Sequence, residues 1–264
     1  MSVKSVIAAL SLAGLTSVAS AEHHHAMEHH HGDGDGTAET DRSAFGADVS
    51  LVAAAFETMA YVGNYQGVIP AFRWSNERFG VGASASMYRL EKNGAAVWGA
   101  GDAMVHGQVT LAGNEHAQAG LVAGVAVPLG NSTSGLSMGH VMIMPAAFGS
   151  WTRGRVALAA TAGYGRALGD MSGHDHGPWP LVDPMNMEEV SWSAGGDYAI
   201  TPAVRAGLRA SGGIPLVDTG HNRVIGAARV GWRNGRVESG AELQAGLAGD
   251  PFTVRGVVST ALSF

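Results

Sequence analysis

The sequence contains no cysteine, which excludes disulfide staples and thiolate metal ligands together. It has little charge: 14% of its 264 residues are Asp, Glu, Lys or Arg, where a water-soluble domain carries about a quarter. It has no basic stripe, and a net charge of -6 with a pI near 6.0 leaves nucleic-acid binding without support. No apolar run reaches the roughly 18–20 residues that a transmembrane helix needs. Any crossing of a membrane must therefore be made by strands. What is abundant is Gly, at 39 residues, together with Ala and Val.

Residues 1–21 read as a secretory signal peptide. Lys4 precedes an apolar run from Val6 to Val18, and Ala19, Ser20 and Ala21 offer small residues for cleavage before Glu22. Residues 22–46 are rich in His, Gly and Asp without apolar periodicity, the composition of a disordered periplasmic tail. From 47 to 264 the pattern becomes alternation. Segments of about ten residues with every second position apolar, separated by turn residues, predict an all-β fold, an antiparallel transmembrane barrel in the bacterial outer membrane.

Twelve strands are expected, near 48–60, 66–74, 79–90, 101–111, 117–128, 139–151, 154–166, 189–200, 203–212, 222–233, 236–247 and 252–264. An even number suits a single-chain bacterial barrel. With the tail in the periplasm, the connectors on that side are short, and the outer side takes the long 167–188 segment. Alternation is clearest near the carboxyl end. Val204, Ala206, Leu208 and Ala210 should face lipid, and Arg205 and Arg209 the lumen; Val224, Val230 and Trp232 should face out, and Arg223 and Arg229 in. After an Asn234-Gly235 turn, Glu238, Glu242 and Gln244 should face inward and neutralise those arginines. The last strand places Val254, Val258, Leu262 and Phe264 on one face. Its aromatic end resembles the signal read by the outer-membrane assembly machinery, so the expected partners are that machinery and membrane lipid.

Six of the twelve histidines, His23, His24, His25, His29, His30 and His31, flank Met27 in the tail. Clustered neutral imidazoles on a flexible segment can converge on Cu²⁺, Zn²⁺ or Ni²⁺. An expression tag is the plain alternative, opposed by the interruption of the tract and by its place directly after the signal. In the barrel, Met138, His140, Met142 and Met144 alternate along one expected strand, so all four should line the lumen. Thioether and imidazole suit a soft ion such as Cu(I) or Ag(I). Neighbours on one strand face lie about 7 Å apart, which implies several weak sites. Met104 and His106 share a face two strands back, with small residues Gly120, Gly124 and Ala126 between. The outer loop adds Met171, His174, His176, Met185 and Met187. The alternative is that the methionines simply pack the lumen.

No cofactor is required by this reading, although copper or another transition metal could bind. No catalytic set is found either. Gly135-Leu136-Ser137-Met138-Gly139 has the spacing of a nucleophile elbow, but that spacing carries meaning only on a strand–turn–helix. The protein is not expected to be an enzyme.

Three passages resemble the meta-pathway phenol-degradation family of outer-membrane proteins. They are a Gly-x-Gly-Asp strand opening at Gly99, Gly101 and Asp102, a Pro-Leu-Gly step at Pro128, Leu129 and Gly130, and a Tyr-x-x-Thr-Pro hairpin at Tyr198, Thr201 and Pro202. The resemblance spans about 66–264 and implies a barrel that passes small hydrophobic or aromatic molecules. The Met and His enrichment departs from that family and points instead to soft metal cargo. A structural or adhesive barrel without transport is the third reading.

Overall fold

The computed structural model describes residues 44–58, 60–169, 182–217 and 220–264. Twelve strands run through them: β1 (Ala44–Glu57), β2 (Val62–Ser75), β3 (Phe79–Lys92), β4 (Ala95–Gly113), β5 (Ala117–Pro128) and β6 (Val141–Arg153). Then follow β7 (Val156–Leu168), β8 (Glu188–Ala199), β9 (Val204–Pro215), β10 (Arg223–Asn234), β11 (Val237–Ala248) and β12 (Phe252–Ser263). Each pairs antiparallel with its sequence neighbour, and β12 pairs with β1 to close the barrel. Closure leaves no sheet edge, the condition for strands to lie in hydrocarbon. No helix among the described residues is long and apolar enough to cross a membrane.

The period-2 alternation sorts side chains as expected. Leu51, Val105, Leu121, Leu208, Leu243 and Val258 stand exposed on the outer surface, an apolar area that only lipid can cover. Phe45, Phe72, Phe79, Trp151, Tyr198, Trp232 and Phe264 form an exposed aromatic girdle at the rim that carries the barrel's two chain ends, as at a membrane–water interface. Turns at this rim are short (76–78, 114–116, 154–155, 200–203 and 235–236), and longer loops lie opposite (129–140 and 169–187). That asymmetry places the girdled rim in the periplasm.

Three expectations need correction. The barrel begins at Ala44, within the segment assigned to the tail, because Ala44 and Phe45 already pair with Ser75 and Trp74. The expected signal peptide and the rest of the expected tail, with His23, His24, His25, Met27, His29, His30 and His31, lie outside the described residues, as do Met171, His174 and His176. Second, the gap between 90 and 101 is not a loop. β3 and β4 continue to a two-residue turn at Asn93-Gly94, both with positive φ (50° and 83°), the backbone that an Asn-Gly hairpin adopts. Third, β6 starts at Val141, not 139. Gly139 takes φ 74° and turns the chain, so Met138 and His140 precede the strand.

Candidate functional site

The lumen has three walls of different chemistry. On β8–β12 arginines meet carboxylates: Arg205 pairs with Glu238, and Arg229 grips Asp197 through Nε at 2.9 Å and Nη2 at 2.5 Å. Arg209 lies 3.7 Å from Glu242. Arg223 reaches Glu189 at 2.8 Å and stands 3.9 Å from Asp250. Inward-pointing residues on adjacent strands lie about 5 Å apart, so long side chains at one height meet even across an intervening strand. Charges held in this low-dielectric interior are tolerated because they are paired.

The outer half of the wall formed by β1–β3 and β12 is apolar. Val52, Phe56, Tyr65, Tyr88, Leu90 and Phe252 are buried there, with Tyr65 and Tyr88 edge to face at 5.8 Å. Toward the periplasm the same strands turn polar, with Asp48 and Ser50 buried among them. Both carboxylate oxygens of Asp48, Oγ of Ser50 and Nη1 of Arg73 have no hydrogen-bond partner among the described residues.

The third wall, β4–β7, carries methionine. Met104, Met142 and Met144 are buried on it. Ala126 of β5 stands between Met104 and Met142, and Gly124 between His106 and Met144, in register. These small residues leave room for the thioethers to lean together. A Cβ on Gly124 would lie 3.4 Å from Met144 Cε and 3.5 Å from Met104 Sδ.

Residues 129–140 and 182–187, from two outer loops, fold into the barrel at this end. In 129–140, Leu129 N–H donates to Gly101 O at 3.2 Å, and Gly130 packs so tightly on the Ala100 carbonyl that a Cβ would stand 1.9 Å from its oxygen. Ser137 donates to the Asp102 carboxylate, whose second oxygen accepts from Met138 N–H at 3.4 Å. The Gly-x-Gly-Asp and Pro-Leu-Gly steps thus interlock. Ser137 sits on a loop and not on a strand–turn–helix. In 182–187, Asp183 binds Arg255 and accepts from Tyr88 OH at 3.3 Å, and Arg223 donates to the Pro184 carbonyl. Asn186 donates to Glu189 at 2.7 Å. Met185 N–H donates to Met138 Sδ at 3.3 Å, bringing a loop methionine onto the methionine wall.

Between loops and walls lies a small cavity, part of it open to solvent, lined by Ser84, Asp102, Met104, Met138, Met142 and Met185 among others. His106 and His140 do not line it. His106 leans the other way: a Cβ on Gly82 of β3 would stand 2.3 Å from its Cε1.

No protein-family model matches the sequence, and no curated protein matches it. Solved structures do resemble it. An outer-membrane channel from Pseudomonas putida F1 superposes with a TM-score of 0.63 at 11% identity, over 88% of this chain and 100% of that one. KdgM porin gives 0.54 at 9% over 83% and 99%, and NanC porin 0.54 at 10% over 82% and 98%. The likeness is one of fold. It is the fold of an outer-membrane β-barrel.

The sequence reading placed Arg205, Arg209, Arg223, Arg229, Glu238 and Glu242 inward, and the structure gives each a charged partner. It did not single out Asp197, Glu189 or Arg255, although alternation along "EEVSWSAGGD" puts Glu189 and Asp197 on one face. Asp183 and Asp250 come from loops, where no periodicity marks direction. Met185 was assigned to an outer loop on the outer side and lies instead in the lumen, 4% exposed.

Proposed function

We propose that this outer-membrane barrel is a channel for small solutes, closed at its outer end by the two inward-folded loops, and not an enzyme. One observation carries the reading: the lower lumen is lined by the buried Asp48 and Ser50 and the half-buried Arg73, and both Asp48 carboxylate oxygens, Ser50 Oγ and Arg73 Nη1 have no hydrogen-bond partner among the described residues. Such groups require water, and a wetted lumen leading to a cavity closed only by loops is a solute path. The neutralised arginine wall removes a strong field of one sign, which suits small uncharged or weakly charged cargo.

Soft metal ions, copper foremost, are the cargo we favour, because thioethers line the cavity and the tail supplies six histidines to gather ions. The apolar wall supports a second reading. Ile69, Tyr88, Leu136 and Val182 border the same cavity and would receive an aromatic or other hydrophobic molecule, the cargo that the family resemblance implies.

Planar-bilayer recording of the folded protein, with and without residues 22–46, tests the channel. Discrete conductance steps are expected, more frequent without the tail. A barrel silent in both forms would be structural or adhesive.

A further inference from the structure

We propose that Met104, Met142 and Met144 of the wall and Met138 and Met185 of the inward-folded loops form one thioether site for a soft monovalent ion, Cu(I) or Ag(I). The inference rests on the reading of the lumen as a solute path, since an ion must reach the cavity. It replaces a file of separate weak sites along one strand with a single site assembled from four segments of the chain.

Continuity of the sulfur-bearing side chains is the first argument. Met104 Sδ and Met144 Cε both approach Gly124; Met144 Cγ and Met185 Cε lie 3.8 and 3.6 Å from the place of a Cβ on Gly165; the Met185 backbone N–H donates to Met138 Sδ. Gly124 and Gly165, lacking side chains, flank Met144 on β5 and β7, so the space beside its thioether is open to other methionines.

Segregation is the second. The apolar cluster of the opposite wall, which Leu136 and Val182 of the loops join, uses Val, Ile, Leu, Phe and Tyr with Ala54, and that cluster contains no methionine. The methionine cluster contains no other large apolar residue, only Ala. Filling space does not demand that division, because Leu and Met exchange at little cost in a core. Thioether softness does, since soft sulfur ligands select Cu(I) and similar ions.

The third is access and charge. Met104, Met138, Met142 and Met185 line the cavity rather than a closed core, and the carboxylates of Asp102 and Asp183 border it. A cation entering there meets neutral sulfur with carboxyl oxygens nearby. An ion held by wall and loop methionines together ties both loops to β4 and β6.

Thioethers do not protonate, whereas imidazoles with ordinary pKa near 6.5 are charged at pH 5. Silver binding at pH 5 in chloride-free buffer therefore separates this site from the histidine tail in the full chain. Equilibrium dialysis of the folded barrel with Ag(I) should give one saturable ion per chain. Met185→Leu alone, and Met142→Leu with Met144→Leu, should each weaken it at least tenfold. Met87→Leu, on the lipid face, should leave it unchanged. In the unaltered protein, ε-methyl resonances of the five methionines should shift with Ag(I), and that of Met87 should not, which keeps the test valid if a variant fails to fold. Unshifted methyls, or binding insensitive to Met185→Leu, would overturn the site. Conductance without silver binding would leave the channel standing and remove the site; silver binding in a silent barrel would do the reverse.

Discussion

Asp183 is a loop carboxylate carried into the lumen on a left-handed backbone, φ 45°. It is held by Arg255 and Tyr88, with Tyr65 and the buried Asp250 close by. Burial pushes its pKa from 3.8 up to about 6, outweighing the Arg255 guanidinium that pulls it down. Burial also raises Asp250. If the released segment returns Asp183 to its ordinary value, the docked state binds a proton that the released state does not between pH 3.8 and 6. Docking is then firmest on the acid side and weakens as pH rises through about 6. Closed times in bilayer recordings should be longer at pH 4.5 than at 7.5, and Asp183→Asn should flatten the dependence. An unchanged profile in that variant would assign the effect to another group.

Among the elements, the β3–β4 hairpin stands apart, because the outer part of β4 pairs only with β3 and provides the rail to which loop 129–140 is pinned. Its turn depends on Asn93 and Gly94 in left-handed backbone. Nothing lies within 4 Å of a Cβ placed on Gly94, so a larger residue there meets only backbone strain, about 1–2 kcal/mol. Gly94→Val should lower the midpoint of heat-induced unfolding seen by gel mobility, while Asn93→Gly should not. A fall of the same size in both would place the sensitivity in the Asn side chain, which accepts from Val62 N–H and donates to the Ala60 carbonyl. This turn was readable in the sequence as Asn-Gly between two β-runs. The stretch "AAVWGA" after it alternates too weakly to mark a strand by itself.

At the scale of the whole molecule, Phe264 closes the outward face of β12 at the girdled rim, its N–H donating to Phe45 O at 2.9 Å. Removing it takes away one hydrogen bond of the seam and, on the resemblance noted above, the mark read during assembly. Deleting Phe264 should lower the yield of folded barrel in the membrane while synthesis is unchanged. An equal yield would leave the aromatic as one member of the girdle.

The sequence alone determined the barrel, the number of strands and the direction of the side chains where alternation is clear, because alternation has a local period of two and one wrong step would turn a whole face to lipid. It also pointed to Arg205, Arg209, Glu238 and Glu242 as inward, and to Met142, Met144 and Met104 as neighbours across small residues. Tertiary structure alone decided which partner each charge takes: Arg229 reaches across β9 to Asp197 although Glu242 is its register neighbour on β11. It also decided that Met138 and Met185 join the methionine wall while His140 stays off the strand and His106 leans toward Gly82. Those outcomes depend on the path of two loops and on heights set by barrel register. Neither leaves a periodic trace in the chain, since a loop's direction is settled by what it docks against.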